Sequence, residues 1–225
     1  MNSPDRDWSW RGRGGGAEVL FAGKGGPPTV EGVLRRVEGS RQVAHLRQIH
    51  SAQVLPARPG ISGPGDALWT RRNDLALVIV TADCVPVLLA APGVVAAVHA
   101  GWRGIVAGVV PAALEFLGPD PKKVRAWIGP AIGECCYEVG EDVAAEVAGA
   151  SAPKVVLSGS PRPHLNLQAA VLHQLSVAGV EKVETVARCT RCHADELWSY
   201  RREGAGAGRN HSLIWLQEAP RGAHP

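Results

Sequence analysis

The sequence has no apolar stretch that combines membrane-spanning length with freedom from turn residues and charges. Its first residues, MNSPDRDWSWRGRGGG, hold no apolar core of the kind a secretory signal needs. A cytoplasmic protein with no membrane partner is therefore expected. A long basic block is also missing: 24 Lys and Arg face 21 Asp and Glu, for a net charge of +3, so nucleic acid is not an expected partner. The only methionine is Met1, which leaves no axial thioether for a haem. The eight histidines include no His-x-His pair, which argues against a multinuclear copper centre. The His-x-Glu and Pro-Cys-x-x-Cys signature of zinc deaminases is absent too. Five cysteines, an odd number in a compartment expected to be reducing, point to free thiols or metal ligands rather than a disulfide framework.

What is present can build a core. The 225 residues are 45% hydrophobic, and one domain is favoured, over 17–216. Residues 1–16 read as a loose Gly-, Arg- and Trp-rich segment, and 217–225 as a frayed tail. The chain is organised around Leu75 to Gly104, LALVIVTADCVPVLLAAPGVVAAVHAGWRG, which reads as two buried strands joined at Pro92-Gly93. A turn centred between Ala91 and Pro92 sets Cys84 opposite His99, Pro86 opposite Ala97 and Leu88 opposite Val95. Opposed residues stand about 4.5–5.5 Å apart at Cβ, close enough for a thiolate and an imidazole to share one metal ion. The bland alternative is a buried structural cysteine beside an unrelated histidine. Asp83, next to Cys84, is a further catalytic candidate.

Around this run, Ala17–Ala22, Val124–Ile128, Val183–Cys189 and Ser212–Leu216 read as strands, and Val43–Leu55 as a half-buried strand. On that last strand His45 and His50 face opposite sides, so only one reaches a shared site. Gly60–Thr70 reads as a Gly/Pro loop. Helices are expected over Ile105–Leu117, kinked or delayed by Pro111, through Val143–Val147, and over Leu167–Ala178 with Leu167, Val171, Leu172, Leu175 and Ala178 on one face. The helix start beyond His99 presents free N–H groups beside Arg103. That makes Arg103 a phosphate-binding candidate or, equally, a partner in a first-turn salt bridge. Helices interspersed with apolar strands predict a layered α/β (α+β) domain with a mixed, partly antiparallel sheet.

Two cysteine motifs compete for attention. Cys135 and Cys136 are adjacent, so their side chains are expected to diverge and not to share one ion; Cys136 is a candidate for the pocket wall, and small buried thiols are the plainer reading. Cys189-Thr190-Arg191-Cys192-His193 has the spacing of a c-type haem attachment site. The missing export signal and axial methionine argue against haem. A plain loop is the stronger remaining reading and a second zinc site the weaker.

RQIHSAQV (47–54), GDALWT (65–70), TADCVPVLL (81–89), VAAVHAGWRG (95–104), IGPAIGECCYEV (128–139), NLQAA (166–170) and CTRCHADELWSYRREGAGAGR (189–209) together resemble the YfiH family. Its members are also described as laccase-domain or polyphenol-oxidase-like proteins, peptidoglycan-editing factors and purine nucleoside enzymes. The resemblance implies a single α/β layered domain with one zinc held by His50, Cys84 and His99, copper being an alternative occupant. It thereby selects His50 over His45. It implies phosphorolysis of adenosine, inosine, guanosine and methylthioadenosine, with adenosine deamination, and so purine nucleosides and phosphate as partners. Phosphate attacking the ribose C1′ needs a cationic cradle, for which Arg103, Arg47, Arg201 and Arg202 are candidates. The alternatives the resemblance leaves open are a copper-dependent phenol oxidase and a peptidoglycan-editing factor, including a Cys-His hydrolase with Cys84 as nucleophile and His99 as base.

Overall fold

Pro92 and Gly93 close the central hairpin. Gly93 takes φ +74°, and proline fixes φ near −65° just before it, the combination a type II turn requires. Strands β8 (Val85–Ala91) and β9 (Val94–Ala100) pair antiparallel, with Ala91 opposite Val94, Leu88 opposite Ala97 and Pro86 opposite His99. The turn thus lies one residue beyond its expected centre, and every expected pair shifts by two. A shift of two preserves the face of every side chain, so Cys84, just before β8, stays on the side of His99 as a diagonal neighbour.

The computed structural model describes residues 8–25, 32, 41–158 and 161–217. Two six-stranded sheets stack face to face. The first runs β1 (Ser9–Gly14), β2 (Ala17–Ala22), β14 (Asn210–Leu216), β7 (Leu75–Thr81), β3 (Gln42–Arg47), β5 (Gly60–Pro64). The second runs β13 (Lys182–Thr185), β10 (Arg125–Ile128), β8, β9, β6 (Ala67–Thr70), β4 (Val54–Pro56). Both are mixed: β3 is parallel to β5 and β7, β10 to β13 and β4 to β6, while the other pairs are antiparallel. A short pair, β11 (Val156–Leu157) with β12 (His164–Leu165), stands apart.

The second sheet is the middle layer, which explains its unbroken apolar run: a strand covered on both faces has no polar face to alternate with. Leu88, Ala90, Val95 and Ala97 pack with Trp127 against Val19, Leu77, Ile79 and Ile214 of the first sheet. Val87, Leu89, Val94, Ala96 and Val98 pack on the opposite side against Ile105, Val109, Val147, Val171 and Leu175 of the helices. The helix Leu167–Val177 starts at Asn166, whose side chain accepts from the Ala169 N–H at 2.8 Å, and the helix Glu141–Ala150 carries acidic residues in its first turn, as the helix dipole favours.

Several expectations change. Leu75–Gly104 holds three strands, not two, because β7 belongs to the other sheet and the chain crosses between sheets through Ala82, Asp83 and Cys84. Val43–Leu55 is β3, a loop and β4, and the expected Gly60–Thr70 loop contains β5 and β6. The helix after His99 begins at Trp102, stops at Val106 and restarts over Val109–Leu114, because Gly108 adopts φ +81°. Pro111 sits in the first turn of the second piece, where a missing N–H costs nothing. Leu172 is exposed rather than buried. Ser9–Gly14, expected loose, forms the edge strand β1 against β2; residues 1–7 and 218–225 lie outside the described residues. Among the described residues no helix is long and apolar enough to cross a membrane.

Candidate active site

Asp66 is the buried pivot of the site. It lies at the start of β6 with no exposed surface. Its carboxylate accepts N–H bonds from His50 at 2.9 Å, Ser51 at 2.6 Å and Ile49 at 3.3 Å, the Ser51 hydroxyl at 2.8 Å and His99 Nδ1 at 2.8 Å. Burial alone would raise its pKa, but these bonds, led by that of His99, outweigh it and hold the carboxyl at about 2. The loop after β3 is therefore wrapped on one carboxylate, which explains how His50 tolerates φ +60°. Gln48 anchors the other side of the loop: its amide donates to the Val80 carbonyl at 2.8 Å and accepts from the Val80 N–H at 3.0 Å, extending the β3–β7 ladder with a side chain.

The expected ligands converge. The donor atoms of His50, Cys84 and His99 all lie within 4.8 Å of one another, with Cys84 Sγ 4.0 Å from His50 Nε2. The two imidazoles meet edge to face at 4.8 Å. Burial would raise the Cys84 thiol, yet hydrogen bonds to His50 and His99 bring it down to about 7. Burial likewise opposes charge on His99, and the bonds to Asp66 and Cys84 prevail, lifting it to about 9. The Nδ1–H of His99 donates to Asp66, so Nε2 is the nitrogen left to face Cys84, the orientation of a metal-binding histidine backed by a carboxylate. A Cβ at Gly101 would stand 3.0 Å from His50 Cδ2 and 3.1 Å from Cys84 Sγ, so glycine keeps room around the donors. One thiolate with two imidazoles suits zinc or copper.

A cavity of about 660 Å³ opens onto these donors, lined also by Thr81, Asp83, Trp102, Tyr137, Tyr200 and three arginines: Arg103, Arg201 and Arg209. The buried Thr81 hydroxyl has no protein partner. Of the candidate cradle residues, Arg103 and Arg201 reach the cavity. Arg47 is exposed and outside its lining, and the Arg202 guanidinium is spent on the carbonyls of Thr190, Arg191 and Leu197 at 2.6–2.9 Å. The five-residue helix Trp102–Val106 begins without a side-chain cap, so Arg103, not a long helix dipole, is the cation at that end. Asp83 has φ +98°, and its carboxylate accepts from Thr190 Oγ1 at 2.6 Å and the Arg201 N–H at 2.7 Å. Both oxygens are engaged in holding loops. Cys136 lies away from the cavity lining, with Cys135, Cys189 and Cys192.

Sequence reasoning missed Asp66 and Arg209. A lone aspartate between Gly65 and the apolar Ala67-Leu68 was the available signal for the first, since such a carboxylate at a strand start is buried only when partnered.

The family described as multi-copper polyphenol oxidoreductase laccase matches residues 30–217. Curated relatives include a purine nucleoside phosphorylase of Streptomyces coelicolor, 43% identical over 78% of this chain and 75% of its own length, and the purine nucleoside phosphorylase YfiH of Escherichia coli, 34% identical over 76% and 72%. The chain belongs to the YfiH family. A solved Neisseria meningitidis protein superposes with a TM-score of 0.84 at 30% identity, covering 93% of this chain and 99% of that one. YlmD from Geobacillus stearothermophilus gives 0.81 at 28% identity, covering 90% and 93%. The double-sheet layering described above is thus the YfiH architecture.

Proposed function

We propose that the chain is a zinc-dependent purine nucleoside phosphorylase, acting on adenosine, inosine, guanosine or methylthioadenosine, with adenosine deamination as a second activity of the same site. The observation that carries this reading is the convergence of His50, Cys84 and His99 on a cavity that also receives Arg103, Arg201 and Arg209. The relatives named purine nucleoside phosphorylase support the reaction class.

His50, Cys84 and His99 would hold the zinc ion, which would supply Lewis-acid chemistry to the bound substrate. Phosphorolysis is a displacement at the ribose C1′: a phosphate oxygen forms the new C1′–O bond while the C1′–N9 bond breaks and its electron pair leaves with the purine. The arginines offer the cationic cradle for the attacking anion. Trp102, Tyr137 and Tyr200 offer aromatic surface for the base. Asp66 holds His99 in one tautomer and His50 in its strained conformation, so the site is shaped before substrate arrives.

In zinc-loaded protein the expected result is base release that requires phosphate and conversion of adenosine to inosine that does not. Arg103→Ala is expected to weaken phosphate use by about 10-fold to 100-fold, the loss of one charge-assisted contact, with a smaller effect on deamination. Neither reaction in zinc-loaded protein would reject the reading. The family description favours one competitor, copper-dependent phenol oxidation at the same donors; phenol oxidation by copper-loaded protein without purine products would establish it. Cleavage of a cell-wall peptide by metal-free protein, lost in Cys84→Ala, would instead assign a Cys-His hydrolase.

A further inference from the structure

The four cysteines that the active site does not use meet at one point. Cys135, Cys136, Cys189 and Cys192 bring their sulfur atoms within 4.8 Å of one another, Cys192 Sγ standing 3.5 Å from that of Cys135 and 3.4 Å from that of Cys136. We propose that Cys135, Cys136, Cys189 and Cys192 form a second metal site, a tetrahedral tetrathiolate for zinc that clips two loops together behind the active site.

The geometry carries the assignment. Four sulfurs about 2.3 Å from a tetrahedral zinc stand about 3.8 Å apart; Cys192 lies within a few tenths of an ångström of that from both Cys135 and Cys136, and no pair of the four exceeds 4.8 Å. A disulfide requires about 2.05 Å, and all five cysteines of the chain are free thiols. The group is too tight to surround several irons and fits one ion.

Adjacent cysteines share it for a local reason. The expected divergence of Cys135 and Cys136 holds for a strand, where neighbouring side chains point to opposite faces. Here residues 134–136 form a turn closed by Cys136 N–H and Tyr137 N–H to the Gly133 carbonyl at 2.9 and 3.0 Å. Successive side chains in such a turn are rotated by about 100°, as in a helix, so both reach the same side. On the partner loop, Cys189-x-x-Cys192 is the two-residue spacing of a zinc knuckle. The Gly133 N–H donates to Cys189 Sγ at 3.2 Å, a bond that favours thiolate over thiol. Cys135 and Cys192 are exposed, which leaves an entry path. His193 stands outside the group of four sulfurs, its Nδ1 paired with the Cys189 carbonyl at 2.9 Å.

The site's place in the fold gives it a task. The two loops already touch through the Thr190 N–H to the Ala131 carbonyl at 3.0 Å and the Ala131 N–H to the Arg188 carbonyl at 3.2 Å. One loop holds Asp83 through the Ile132 N–H at 2.9 Å and the other through Thr190 Oγ1 at 2.6 Å. Asp83 precedes Cys84, and Tyr137 follows the cysteine pair into the cavity wall. Binding releases the thiol protons to solvent and fixes two loops separated by more than fifty residues of chain, which stabilises only the folded state.

Elemental analysis of protein purified under reducing conditions without added metal tests the proposal. The triple variant His50→Ala, Cys84→Ala, His99→Ala is expected to retain one zinc per chain, and its cobalt-reloaded form to show thiolate-to-cobalt charge transfer and a tetrahedral visible band. Failure of the active-site metal leaves that result unchanged, so the two sites are read separately. Adding Cys135→Ser and Cys192→Ser to the triple variant is expected to remove the remaining zinc and the cobalt bands. A triple variant without zinc or cobalt bands overturns the site, as does an intact mass lowered by two or four hydrogens, which marks disulfides in its place. Zinc that survives Cys135→Ser and Cys192→Ser in a folded chain overturns it equally.

Discussion

At the scale of single residues, Asp66 does more than any ligand. One carboxylate orients His99, caps the loop that carries His50 and compensates its own burial with five hydrogen bonds. Asp66→Asn cannot accept from His99 and from all of the 49–51 amides with one carbonyl oxygen. We expect its metal affinity to fall by about 10-fold to 100-fold, the usual effect of losing a partner behind a ligand, as measured by competition with a chromophoric chelator; unchanged affinity would confine Asp66 to holding the loop. His211 offers a separate test. It is 4% exposed on β14 and burial pulls its pKa down to about 4. A histidine depressed in the fold is most stabilising above its unfolded value near 6.5, and that contribution is lost as pH falls toward 4. Denaturant titrations should show about 2 kcal/mol of stability lost between pH 7 and pH 5, and His211→Gln should flatten that slope. A slope identical in the variant would assign the acid sensitivity elsewhere.

At the scale of elements, glycines set what the strands deliver. Nothing lies within 4 Å of a Cβ built at Gly93, whose φ is +74°, so Gly93→Ala costs backbone strain alone. About 1 kcal/mol is expected, seen as a lower Tm at unchanged metal content. Gly101→Ala is the reverse case. Its φ of −73° suits any residue, while the new methyl presses on His50 and Cys84, so metal affinity should fall with the fold retained. A variant with full affinity would show that the ligands move aside. The hairpin was legible in the sequence because its apolar run and Pro-Gly punctuation are local signals. β5 was not: Gly60–Pro64 is an edge strand with exposed or half-exposed side chains and two prolines or glycines at its ends, so neither period nor composition marks it. The loop that carries His50 was misread as strand because its conformation is imposed by Asp66, sixteen residues on.

At the scale of the whole molecule, both sheets and the helical layer meet where chain segments cross from one sheet to the other, at residues 48–53 and 82–84; His50 and Cys84 sit on those crossings and His99 on β9 beside them. A metal held by these donors would bind only the folded chain. At a free concentration a thousand times Kd it stabilises by about 4 kcal/mol, so removal with a chelator should lower Tm by about 10 °C for a chain of this size. A Tm indifferent to chelation would show that the described donors hold no ion under those conditions.

The sequence by itself determined the layered αβ class, the positions of the buried hairpin, β2, β10 and the helix after Asn166, and the chemical identity of the donors in the Gln48-Ile49-His50, Ala82-Asp83-Cys84 and His99-Ala100-Gly101 segments. These follow from hydrophobic period, turn residues and family motifs, all of which are read within a few neighbouring positions. Only the tertiary structure decided that Asp66 links His50 to His99, that Arg209 enters the cavity while Arg47 and Arg202 do not, and that four cysteines from two loops converge. Each of those outcomes depends on how two sheets are stacked and where the chain crosses between them, and a contact between residues far apart in sequence leaves no periodic trace in either segment.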